Sequence, residues 1–145
     1  MRDSCIGSFG SVALTMMLLV RFFALIEIDI LLVPVALIAG HAVSRLCATF
    51  VLRTLDYARA EGKAKPFSNQ LTRGDLVFAS VTALLPVLLL SPWQFIPGLI
   101  LAAGATVWLT RLFKRKIGGY TGDCLGAVQQ FSEVAFYCGL LCKFS

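Results

Sequence analysis

The residues best suited to chemistry lie in one run, Gly118-Gly119-Tyr120-Thr121-Gly122-Asp123-Cys124-Leu125-Gly126-Ala127. It follows the basic stretch Lys114-Arg115-Lys116 and opens an apolar segment that carries Gln129, Gln130 and Glu133. Glycines let a backbone turn sharply and come close to a ligand. A carboxylate delivered by such a turn suits a hard divalent ion, which takes one or two carboxylates together with substrate phosphates. Asp123 is therefore a candidate Mg²⁺ ligand. Thr121 or Asp123 is equally a candidate cap for the helix that follows, because a side-chain oxygen there satisfies orphan amides.

Three other polar groups belong with this run. They are Arg2-Asp3-Ser4, Ser44-Arg45 and the stretch Tyr57-Ala58-Arg59-Ala60-Glu61-Gly62-Lys63. The Arg45 guanidinium can grip a phosphate through two parallel bonds or reach a membrane interface by snorkelling. Asp123, Gln130 and Tyr137 are seven apart and share a helix face, with Glu133 one turn from Gln130. A charge at mid-bilayer costs about 2.5–3.5 kcal/mol, so Glu133 must face other helices or a wet cavity. It is read first as a helix-packing hydrogen bond. Arg21 is read as a snorkelling or packing residue.

The elements that position these groups are membrane helices. The chain has 145 residues, 58% of them hydrophobic and 14% charged, far from the soluble balance. Apolar blocks at 9–28, 30–52, 76–90, 95–113 and 125–142 alternate with short polar loops, and a span needs roughly 20 apolar residues. The expected fold is an all-α polytopic membrane protein with about five transmembrane helices, residues 1–145 forming one membrane portion. The first block resembles a signal peptide, but Asp3 beside Arg2, the interrupting Arg21 and the lack of a small-residue cleavage site favour a retained span. Gly98, Ala102, Ala103, Gly104 and Ala105 offer a small-residue surface for close helix packing.

Charge sets the orientation. Of thirteen Lys and Arg, Arg2, Arg53, Arg59, Lys63, Lys65, Arg73, Arg111, Lys114, Arg115 and Lys116 fall on one side if the spans alternate. Only Lys143 falls opposite, while Arg21 and Arg45 lie within spans. The positive-inside rule then puts the N-terminus and both basic loops in the cytoplasm. The isoelectric point near 9.2 reports topology and attraction to lipid headgroups or a phosphorylated substrate. Nucleic-acid binding is not implied, since no aromatic platform or known module accompanies the basic residues. Transport is disfavoured as well, because no internal repeat is visible and the polar groups gather at one surface. The five cysteines, Cys5, Cys47, Cys124, Cys138 and Cys142, complete no metal spacing, and His41 is read as a helix residue.

Four ordered segments resemble the cobalamin synthase family over nearly the whole chain. Met1-Arg2-Asp3-Ser4-x-Ile6-Gly7 is similar to the family's M-R/K-D-S-R-x-G segment, and Ser44-Arg45 to a recurrent arginine. Tyr57-Ala58-Arg59-x-Glu61-Gly62 is similar to a Y-A-R-x-E-G loop. The Gly118–Ala127 run resembles the C-terminal motif, and Glu133 an acidic residue of the last helix. Cys5 stands where the family usually has arginine. The family's acidic Asp-Gly-Leu-Ala-Asp region, which precedes these segments, is not in this sequence, so the chain is expected to be the C-terminal part of such an enzyme.

The resemblance implies an adenosylcobinamide-GDP ribazoletransferase of the bacterial inner (plasma) membrane. The enzyme joins α-ribazole, or its phosphate, to adenosylcobinamide-GDP with release of GMP. It implies Asp3 and Asp123 as catalytic and metal-binding carboxylates for Mg²⁺. Arg45, Tyr57, Arg59, Lys63 and Thr121 are implied as substrate contacts. Membrane lipid, a missing N-terminal portion or a homo-oligomer are the expected partners. Two other readings stand beside this one: a non-enzymatic membrane component, and an inactive remnant.

Overall fold

The computed structural model describes residues 8–58, 72–90 and 92–142. They form five α-helices: α1 (Ser8–Glu27), α2 (Val33–Thr54), α3 (Arg73–Leu84), α4 (Pro92–Ile117) and α5 (Gly122–Leu140). A short 3₁₀ turn, Pro86–Leu89, follows α3. Among the described residues the only β-type pairing is a single parallel bridge between Tyr57 and Tyr120.

All five apolar blocks are helical, and their ends have local causes. The block expected at 30–52 enters its helix at Val33. The Asp29 carboxylate accepts the Leu31 amide at 3.0 Å, and the Asp29 carbonyl accepts those of Leu32 and Val33. That turn holds three residues off the helix, and Pro34 then fits the first turn, where no amide donor is needed. The block expected at 76–90 divides. Thr72 and Asp75 form a capping box at its start. Pro86 supplies no amide and its ring crowds the preceding turn, so α3 stops at Leu84 and the chain tightens into the 3₁₀ turn.

The helix α5 lies at the centre, packed most heavily along α4 and then along α2, and α3 packs against α2. The α4–α5 contact is close because both helices present glycine. A Cβ on Gly139 would run into the backbone of Gly98, and one on Gly98 would meet the Phe136 ring at 2.9 Å. Ala102, one turn beyond Gly98, is fully buried. The expected small-residue surface thus packs through Gly98 and Ala102, whereas a Cβ on Gly104 would meet nothing within 4 Å.

Two apolar clusters fill the interior. One joins Ala36, Ala39, Val43, Ala102, Phe136 and Tyr137. The other, toward the end where α2 stops and α5 starts, joins Val51, Leu55, Leu109, Tyr120, Cys124 and Val128. By contrast α1 is apolar and exposed almost all round, touching chiefly α5.

Among the described residues three segments are long and apolar enough to cross a membrane: Gly10–Glu27, Val33–Thr54 and Phe95–Ile117. Gly74–Leu89 is a shorter apolar stretch. The central α5 does not meet that measure although it has 19 residues. It packs against α1, α2 and α4, so protein rather than lipid surrounds Glu133, whereas Asp123 and Gln130 stay exposed and Gln129 is half-buried.

Candidate functional site

At the end of the bundle where α2 stops, two distant stretches are clipped together through their backbones. Past Thr54 the chain becomes extended. The Asp56 carbonyl accepts the Tyr120 amide at 3.0 Å, and the Tyr120 carbonyl accepts the Ala58 amide at 3.0 Å. Glycine makes this approach feasible. Gly118 ends α4 with φ of 74°, a left-handed conformation that glycine adopts without penalty. A Cβ on Gly119 would run into the Asp56 carbonyl oxygen. The Tyr57 and Tyr120 rings then meet edge to face, their centroids 5.4 Å apart. Tyr120 is fully buried, and its hydroxyl has no partner among the described residues.

The clip aims the next residues. Thr121 is the N-cap of α5: its hydroxyl oxygen accepts the Cys124 amide at 3.4 Å and its O–H points at the Cys124 sulfur at 3.2 Å. Capping therefore falls to Thr121, and Asp123 is released from it. Asp123 sits exposed in the first turn of α5, where the amide ends give partial positive charge that favours an anion. Among the described residues its carboxylate has no hydrogen bond or ion pair. No group of three or more His, Cys, Asp or Glu side chains among the described residues could hold a metal ion unaided.

Deeper in the bundle lies a second polar cluster. Glu133, buried on α5, accepts from Arg21 Nη2 at 2.7 Å and from the Tyr137 hydroxyl at 2.7 Å, both through Oε1. The Arg21 guanidinium also stands 5.8 Å from the Tyr137 ring centroid, within range of a cation–π attraction. Arg21 and Glu133 line an open cleft of about 640 Å³ together with His41 and Arg45 of α2 and Ala79 and Thr82 of α3. Arg45 Nε donates to His41 Nε2 at 3.1 Å.

Tyr57, Thr121 and Asp123, all expected in the site, gather at the clipped end. Arg45 does not join them. It lies nine residues before the end of α2, about 14 Å along the helix, and opens on the cleft. Asp3, Arg59 and Lys63 lie outside the described residues. The Arg21–Glu133–Tyr137 network was not anticipated as a unit. A lone cation and a lone carboxylate in two apolar blocks were the available signal, since each needs a counter-charge away from water.

The chain matches the family described as Cobalamin-5-phosphate synthase over residues 1–141. It is 44% identical to an adenosylcobinamide-GDP ribazoletransferase of Ralstonia pickettii, aligned over 100% of this chain and 57% of the relative. The protein of that name from Vibrio cholerae is 42% identical over 97% of this chain and 55% of the relative. The one from Shewanella woodyi is 41% identical over 97% and 57%. The chain thus spans somewhat over half the length of these curated relatives. No solved structure matches it.

Proposed function

Because the chain belongs to the cobalamin-5-phosphate synthase family, we propose that it serves the transfer for which its relatives are named, with the clipped end as its reacting surface. The observation that carries this reading is the pairing of Asp56–Ala58 with Tyr120. It fixes the Thr121 cap and leaves Asp123 exposed at the positive end of α5. In the proposed reaction a hydroxyl oxygen of α-ribazole, or of its phosphate, bonds to the cobinamide-linked phosphorus of adenosylcobinamide-GDP. The bond from that phosphorus to the bridging oxygen breaks, and GMP leaves with the electron pair. The hydroxyl proton passes to a carboxylate, for which Asp123 and Asp3 are the candidates.

Asp123 fits a hard cation when phosphate oxygens complete the ligand set. A bound Mg²⁺ would neutralise charge building on the diphosphate. Thr121 holds the α5 amides in place to face an anion, and the Tyr57 ring walls the surface on one side. Arg59 and Lys63 are proposed phosphate contacts that follow directly from the clipped strand in sequence.

The same reading sets this end on the cytoplasmic side of the bacterial inner membrane. Arg53, Arg111, Lys114, Arg115 and Lys116 gather there at the ends of α2 and α4, as the positive-inside rule expects. Membrane lipid and a homo-oligomer or a second polypeptide are the proposed partners.

The test is growth. The 145-residue chain is expressed in a strain lacking the ribazoletransferase, supplied with cobinamide and lower-ligand base, with and without the remaining region of the Ralstonia pickettii relative. We expect cobalamin-dependent growth in at least one setting, and at least a 100-fold loss of rate in Asp123→Ala. No growth in either setting, or growth indifferent to Asp123→Ala, would overturn the assignment.

A further inference from the structure

Arg45 is a cation without a carboxylate. Among the described residues its one side-chain partner is His41, reached through Nε at 3.1 Å. His41 is one turn nearer the start of α2, so the guanidinium is turned away from the Thr54 end, following the usual lean of helical side chains.

The surrounding cleft holds about 640 Å³, within the roughly 300–1,000 Å³ of small-molecule sites. Arg21 and Glu133 on its wall satisfy one another. Arg45 is thus the charged side chain of the lining with no counter-charge among the described residues. The Thr49 and Thr82 hydroxyls spend their protons on carbonyls of their own helices, so Arg45 is the cationic donor of the lining that has no carboxylate partner. Leu37, Ala42, Leu46 and Ala79 make the rest of the lining apolar.

We propose that this cleft binds a phosphate-ester anion carried on an apolar body, with the terminal nitrogens of Arg45 gripping the phosphate. Paired guanidinium donors match two phosphate oxygens, and the apolar walls take the attached body. A membrane phospholipid and a soluble phosphate ester both offer the phosphate, and the two are separable by experiment. The site is separate from the clipped end, since Thr121 and Asp123 do not line it; a response to GDP would deepen the transferase reading and rests on it, whereas retention of phosphatidylglycerol does not.

The chain is purified in mild detergent and given equal phosphatidylglycerol and phosphatidylcholine, and retained lipid is counted by native mass spectrometry. In a second arm the delipidated chain is titrated calorimetrically with GDP. We expect one phosphatidylglycerol retained in preference to phosphatidylcholine, or saturable GDP binding, the arm that responds naming the source. Binding should fall at least tenfold in Arg45→Gln and in Ala79→Phe, which fills the cleft without touching the charge. It should stay within threefold in Arg45→Lys and in the surface variant Lys114→Gln, with helix content unchanged by circular dichroism. Binding of neither probe, or equal binding by Arg45→Gln and the unaltered chain, would overturn the proposal. So would full binding by Ala79→Phe, since the anion would then lie outside the cleft.

Discussion

The clipped end and the cleft are polar regions built by opposite means. At the clipped end the backbone does the positioning: two peptide hydrogen bonds, two glycines and a capping threonine set the geometry, and the Asp123 carboxylate stands free. In the cleft the side chains do it, with Glu133 satisfied by Arg21 and Tyr137 and Arg45 leaning on His41. Where water is near, a carboxylate can be left unpaired at little penalty and so stay available for a ligand. Away from water it must be neutralised, and its role becomes structural.

If that contrast is right, the largest effect should come from Glu133→Ala. It leaves Arg21 and the Tyr137 hydroxyl without their shared acceptor, and breaking a buried pair destabilises by about 3 kcal/mol. Thermal unfolding in detergent should show it. The double variant Arg21→Leu with Glu133→Leu should recover to within about 1 kcal/mol, because apolar replacement of both partners removes the unpaired charge. A double variant as unstable as the single one would mean that packing, and not charge pairing, holds this region.

A smaller effect is expected at the clip. In Gly119→Ala the new methyl must displace the Asp56 carbonyl, loosening one or both bridging bonds at about 1 kcal/mol each. The Tyr120 amide should then exchange with deuterium roughly tenfold faster, while amides near Glu133 keep their protection. Equal acceleration in both places would deny the separation of the two regions.

The smallest effect belongs to a third polar spot, the exposed start of α3. Hydrogen bonds from the Thr72 hydroxyl and amide hold the Asp75 carboxyl below its ordinary value of 3.8. A depressed folded value stabilises above the unfolded pKa and is lost as pH falls through the folded one. The first turn of α3 should therefore loosen only below about pH 4, with no change at the clip. Hydrogen exchange of the Asp75 amide at pH 5 and pH 2.5, corrected for intrinsic rates, reads this. Unchanged protection would remove the capping box from the account.

The sequence made the helices legible because membrane length and apolar runs are local properties. The Gly118–Asp123 turn was visible for the same reason. The division of labour within it was not, since Thr121 and Asp123 are both good caps and only the backbone decides between them. Pairing between distant stretches leaves no periodicity. The meeting of Tyr57 with Tyr120 and of Arg21 with Glu133 could not be read from spacing. Arg45 was drawn toward the clipped end because it shares a helix with it. What separated them is a depth of two and a half turns and the direction in which the side chain leans.

The ion pair between α1 and α5 also has a consequence for how the protein is made. Arg21 and Glu133 are 112 residues apart, and a ribosome adds roughly 5–20 residues each second. For some 6–20 seconds after Arg21 is synthesised its counter-charge does not yet exist. During biogenesis α1 must therefore enter the bilayer on its leucines, valines and phenylalanines alone, and its arginine acquires a partner only as the last described helix arrives.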